Sequence, residues 1–197
     1  MLFGSAPIDV HELVQVLETK VQPEAARRMG LTPGDIAKLT PDQKWKTREW
    51  TQAVKHVLND RGQESGYQVY CSGIEQSCEL LLDILWCAGS SATMGIALAC
   101  ESEWNENPNE VSWDFQKLMF VKAPLKLLIY TGGRGVASGE QILARIKKDL
   151  ESYPHHVAEE QYLLVGLDWG VAYAHRYVVP SDGQQAGISF ELLEKAD

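Results

Sequence analysis

Residues 125–133, LKLLIYTGG, form a nearly unbroken apolar run closed by two glycines. Such a run is expected of a central strand buried on both faces, as in the parallel part of a sheet, rather than of one alternating between core and water. A strand of that kind needs a covering layer on each side, so the chain is expected to be an α/β protein with a mixed sheet flanked by helices.

The helices are legible from period and caps. Asp9 precedes VHELVQVLETKV, where Val10, Leu13, Val14, Val16 and Leu17 recur at roughly helical spacing. PEAARRMG follows, with Pro23 suited to a first turn and Gly30 to an end, and then LTPGDIAKLT with turn signals at Pro33 and Gly34. Residues 1–39 therefore read as an N-terminal helical arm. Thr40, Pro41 and Gln43 open a longer helix, DQKWKTREWTQAVKHVLNDRG, with Trp45, Trp50, Val54, Val57 and Leu58 as its buried stripe and Gly62 to close it.

The period changes after Gly66. YQVYCSG (67–73), CELLLDILWC (78–87) and GIALACESEW (95–104) read as three strands of a meander. SWDFQKLMFVK is a helix stopped by Pro124; the apolar run follows, then the helix GEQILARIKKDLESY and the strands QYLLVGLDW and VAYAHRYVVP. At 197 residues the simplest organisation is one domain, 1–197, with a core over 40–131 and with 132–197 completing the sheet.

A net charge of -9 argues against a broadly basic nucleic-acid coat but leaves room for a local basic channel. Cys71, Cys78, Cys87 and Cys100 lack CxxC spacing and are expected to be buried free thiols. No apolar run is long enough to span a bilayer and the first residues lack a leader pattern, so the expectation is a cytoplasmic protein. His155 and His156 look like solvated loop residues.

The chemistry concentrates in GIALACESEW. On a strand, Ala97, Ala99, Glu101 and Glu103 share one face, so two carboxylates stand at the end of an apolar strand and need a cation, a basic partner or open water. Asp83 interrupts ELLL and ILW with a charge, and a buried carboxylate likewise needs a partner.

Helix, strand, strand, strand, helix, strand is the order of the core of the PD-(D/E)XK, or restriction-endonuclease-like, nuclease superfamily, which residues 40–131 resemble. The resemblance places Asp83 at the family's first acidic position and Glu101 at its second. Glu103 stands where most members carry lysine, an E-x-E variant, and Lys117 on the following helix can replace that lysine. Glu79, four before Asp83, would share its strand face, and Glu49 on the preceding helix could add an outer acid. What the resemblance implies is a Mg²⁺-dependent nuclease, with Mn²⁺ as a substitute, acting on nucleic acid, DNA foremost, and open to homodimer formation. Asp83, Glu101 and Glu103 would be metal ligands, and all three with Lys117 would form the catalytic set. The alternative it leaves open is a catalytically inactive protein of this fold serving as an interaction or defence-associated module.

The physical case runs parallel. Phosphodiester cleavage needs a water deprotonated near neutral pH and neutralised phosphate charge, and carboxylates holding Mg²⁺ supply both. Lys44, Lys46, Arg48, Lys55, Lys117, Lys122, Lys126, Arg134, Arg145, Lys147 and Lys148 could line a groove, with Trp45, Trp50, Trp104 and Trp113 for stacking. Set against this, lysines at helical spacing are usually a solvated face and tryptophans usually core. Asp83 could simply pair with Lys126 or Lys117, and Asp114 with Lys117 at i, i+3.

Overall fold

The computed structural model describes residues 8–36, 38, 47–74, 81–89, 95–131, 136–168, 171–182 and 187–193. Seven strands form one mixed sheet whose spatial order follows the chain. They are β1 (Gln68–Cys71), β2 (Ile84–Cys87), β3 (Ile96–Glu103), β4 (Leu125–Thr131), β5 (Gln161–Asp168), β6 (Val171–Val178) and β7 (Glu191–Leu193). β1 to β3 are antiparallel, β4 pairs parallel to both β3 and β5, and β6 and β7 are antiparallel again.

Parallel neighbours require a long crossover, and a helix fills each one. The helix α5 (Pro108–Phe120) links β3 to β4 and α6 (Val136–Ser152) links β4 to β5. All seven residues of β4 are buried, as its apolar run requires. Upstream lie α1 (Val10–Val16), a π-helical segment (Leu17–Val21), α2 (Gln22–Arg28), α3 (Pro33–Ile36) and α4 (Thr47–Glu64). From α4 to β4 the order is helix, three strands, helix, strand.

Side-chain alternation sends each strand's residues to two separate cores. Ile84, Trp86, Leu98, Cys100, Leu127 and Ile129 pack with α1, α2 and α4, while Leu85, Cys87, Ala99, Leu128 and Tyr130 pack with α5 and α6. The N-terminal helices are consequently no arm. Leu17, Val21 and Ala25 are fully buried beside Trp50, Val54 and Leu58, and their apolar stripe closes one face of the sheet. The expected break before Pro23 is also absent, since the π segment carries the helix through it. Proline cannot donate, and its ring crowds the carbonyl four residues back at Thr19, which the wider turn relieves.

Two further boundaries differ from expectation. β2 begins at Ile84, because Leu81 has φ of 64° and cannot continue a pleated ladder; residues 78–80, with Cys78 and Glu79, lie outside the described residues. The helix α4 does not end at Gly62. It ends through Gly66, at φ 80°, where the Tyr67 amide donates to Gly62 O and the Gly66 amide to Gln63 O. Gly62 is there for packing, since a Cβ on it would come within 2.6 Å of Val69 Cγ2 and 2.7 Å of Trp86 Nε1. Trp86 is fixed from the same side, donating to Leu58 O at 3.1 Å and stacking on Tyr67. Gly62→Ala is therefore expected to destabilise the fold by about 1–3 kcal/mol, measured by urea unfolding, through overpacking against Trp86.

Candidate acidic site

β3 is the strand between the two helical layers, and its C-terminal half turns polar while still enclosed. Leu98 and Cys100 face the α4 side and Ala99 the α5 side, so Ser102 follows Cys100 while Glu101 and Glu103 follow Ala99. Glu101 is only 4% exposed. Its Oε1 lies 3.4 Å from Lys117 Nζ on α5, and that ammonium is closer to Asp114 Oδ1, at 2.5 Å. Glu103 accepts the Asn105 amide at 2.6 Å and shares a side-chain hydrogen bond with Asp114. Asp114 thus joins the two glutamates to the lysine.

Asp83, just before β2, is held by a different set. Its Oδ1 is 3.0 Å from Lys55 Nζ on α4, and its Oδ2 accepts from the Ser102 amide at 3.0 Å and the Ser102 hydroxyl at 2.7 Å. Lys55, 6% exposed, also donates to Ser72 Oγ at 2.6 Å. The partners of Asp83 therefore belong to the α4 side and those of Glu101 to the α5 side. The expected trio is brought together in part: Glu101 and Glu103 meet around Lys117 and Asp114, and Asp83 stands close enough to act on Glu101 through its charge. Among the described residues, no group of three or more His, Cys, Asp or Glu is arranged to hold a metal ion.

The electrostatics are those of an undercompensated cluster. Burial pushes the Glu101 carboxyl up to about 8, the charges of Asp83 and Asp114 add to it, and Lys117 only partly opposes them. Burial and Asp114 also raise Glu103. Partial burial works against the charge on Lys117, but Asp114 and Glu101 outweigh it and hold the ammonium above its usual range. Beneath the acids, burial pushes the Cys71 thiol up to about 12 and Cys100 well above the usual range, so neither is a thiolate nucleophile. Cys71, Cys87 and Cys100 are buried and free, as expected.

Several other expectations are corrected. Lys55 and Lys126 do not line a surface groove, being 6% and 1% exposed. Lys126 pairs with Glu160 at 2.7 Å, and so is no partner for Asp83. Trp50 and Trp104 are core residues in mutual contact, whereas Trp113 on α5 is 66% exposed. Glu49 pairs with Arg28 at 3.4 Å. Lys44, Trp45, Lys46 and Arg134 lie outside the described residues. His156 is not a solvated loop residue: its side chain is 2% exposed, with Nδ1 3.2 Å from Glu160 Oε1 and Nε2 3.0 Å from Leu150 O.

The residue that sequence reasoning passed over is Lys55, which was counted with the other helical lysines. Its signal is positional, because it shares one side of α4 with Leu58 and Gly62, both of which pack inward. No protein-family profile, curated protein or solved structure matches this chain. Among the described residues, no helix is long and apolar enough to cross a membrane.

Glu101 makes a prediction about stability. Between its ordinary value of 4.5 and about 8, the folded chain keeps a proton that the unfolded chain has lost, so this group's contribution is present below 4.5 and falls as pH rises to 8. Glu101→Gln should raise unfolding free energy at pH 8 by on the order of 2 kcal/mol and change it little near pH 4.5. Urea denaturation at the two pH values checks this; equal effects at both would show that Glu101 does not titrate in that window.

Proposed function

We propose that this chain is a restriction-endonuclease-like protein that binds Mg²⁺, or Mn²⁺ in its place, between Asp83 and Glu101 and hydrolyses phosphodiester bonds of nucleic acid, DNA foremost. The observation that carries the reading is Glu101: an almost fully buried carboxylate beside two other acids, whose cation stands at 3.4 Å and is more closely bound elsewhere. A second cation is what such a group lacks, and a divalent ion with oxygen ligands is the natural one. The element order from α4 to β4, with acids on β3 and at the mouth of β2, agrees with the resemblance in the sequence.

In this reading Glu101 and Asp83 would hold the ion, which would supply a water of lowered pKa and neutralise charge on the phosphate. Glu103, half-buried and with its carboxyl raised, would take or relay a proton there. Lys117, held by Asp114 at the edge of the site, would offset charge that develops on the phosphate.

A second reading is a protein of the same fold without activity. It is favoured by one specific observation, that both oxygens of Asp83 already have partners, Lys55 on one and Ser102 on the other.

The two readings separate on purified protein incubated with double-stranded DNA, single-stranded DNA and RNA, each with Mg²⁺, Mn²⁺ or EDTA. The nuclease reading expects metal-dependent cleavage that falls by at least about 100-fold in Glu101→Ala, and by about 10- to 100-fold in Lys117→Ala. Cleavage that survives Glu101→Ala would put the chemistry elsewhere. No cleavage of any substrate, together with no Mn²⁺ binding by calorimetry, would favour the inactive module.

A further inference from the structure

The outward face of α5 carries two large aromatic side chains that the core does not use. The inward stripe of the helix, Val111, Phe115, Leu118 and Met119, is buried against the sheet. On the other side Trp113 and Phe120 are 66% and 72% exposed. Seven residues apart, they stand on one line of the helix, about 10 Å from each other along its axis. Trp113 meets no other ring among the described residues, and Phe120 is propped edge-on by Tyr153, at 5.8 Å, just past the end of α6.

The charges around the rings select the partner. Lys117 stands between them on the same face, four residues after Trp113 and three before Phe120, with its side chain 50% exposed. Arg145 of α6 donates to Ser112 Oγ at 3.2 Å, which brings the basic side of α6 against α5 next to Trp113. Lys148, one turn on from Arg145, and Lys122, two residues after Phe120, are exposed and carry no ion pair among the described residues. Residues 108–153 hold 7 Lys and Arg against 5 Asp and Glu, in a chain with 18 against 27, so the exposed rings lie in its basic part. A basic peptide seeking the rings is repelled by these cations. A second copy docked ring line to ring line about a two-fold axis would bring the two Lys117 ammoniums together. Exposed rings interleaved with cations fit a phosphate-linked strand with open bases, whereas duplex bases are already stacked on each other. The two rings are separated by about three nucleotides at about 3.4 Å each.

We propose that the Trp113–Phe120 face of α5, with Lys117, Lys122 and Lys148, binds single-stranded nucleic acid by stacking its bases, without sequence preference. The inference rests on the cleavage reading only for the class of substrate, to which it adds strandedness; the binding needs neither a metal nor the buried acids. Lys117 is common to both, since it stands between the rings and 3.4 Å from Glu101 Oε1. A strand held on this face therefore runs past the mouth of the acidic site.

Fluorescence anisotropy of an end-labelled oligothymidylate of about twelve nucleotides, titrated with the full chain in EDTA, tests it. Wild type should bind this strand at least about tenfold more tightly than the matching duplex. Trp113→Ala and Phe120→Ala should each weaken binding by about tenfold, while Trp113→Phe, which keeps a ring, holds most of the affinity. Lys148→Gln should lower the slope of log affinity against log salt by about 0.7, as loss of one phosphate contact does. Both rings are exposed, and an unchanged urea midpoint shows that each variant is folded. No binding by wild type, duplex binding as tight as that of the strand, or unchanged affinity in a folded Trp113→Ala or Phe120→Ala overturns the inference, whatever a cleavage assay shows. A wild-type dimer that sediments as a monomer after Trp113→Ala also overturns it, by giving the face to a second copy. Binding that follows all these expectations without cleavage when Mg²⁺ is added upholds the inference while the cleavage reading fails.

Discussion

β3 is hydrogen-bonded to β2 along one edge and to β4 along the other, and helices cover both of its faces. A strand so enclosed cannot send a polar side chain to bulk water, so each polar group in it must be met from inside the protein. The positions of α4 and α5 answer that constraint. α4 brings Lys55 to the Asp83–Ser102 pair on one face, and α5 brings Lys117 and Asp114 to Glu101 and Glu103 on the other. The apolar stripes of both helices set their docking, and the charged side chains at the margins of those stripes then meet the acids. A solvent-exposed pair of the Asp114–Lys117 kind is worth only a few tenths of a kcal/mol. Here the same i, i+3 spacing delivers an ammonium to a buried strand.

The two halves of this arrangement are not equally satisfied, and a second buried carboxylate in the same sheet supplies the comparison. Glu160, just before β5, is 5% exposed, much like Glu101. It receives Lys126 at 2.7 Å, the Tyr162 hydroxyl at 2.7 Å and His156 at 3.2 Å. Burial disfavours its charge, but hydrogen bonds from His156, Lys126 and Tyr162 hold its carboxyl down to about 2. Glu101, with one distant ammonium and acidic neighbours, goes the other way, up to about 8. With similar solvent exposure, the two carboxyls go opposite ways: burial dominates at Glu101, while the supply of hydrogen-bond partners outweighs it at Glu160. The fold completes one buried carboxylate and leaves another short of positive charge.

What could be read from the chain beforehand divides along the same lines. LKLLIYTGG and the helical stretches around 108–120 and 136–152 were legible because burial on both faces, or on one stripe, leaves a periodic signal in consecutive residues. The meander was legible in part: Asp83 falls beside β3 as expected, but Leu81 at positive φ cuts β2 short, a local conformation that an apolar pattern cannot encode. β7 was missed because three residues, Glu191–Leu193, carry no period. Pairings distant in the chain were the least legible. Lys55 and Ser72 are 17 residues apart and Lys126 and Glu160 are 34 apart, and nothing in the spacing of either pair distinguishes a buried lysine from a solvated one. The Glu101–Lys117 contact was within reach only because the turn after β3 is short enough to bring α5 straight back over the strand.

The uneven compensation also bears on why an acidic site of this kind is compatible with a stable fold. Three or four carboxylates gathered without a cation would repel one another and carry desolvation costs of several kcal/mol each. The fold limits this in three ways that act on different residues. Asp83 is turned to Lys55 and Ser102, Glu103 and Asp114 share a hydrogen bond, and Glu101 is left to take up a proton.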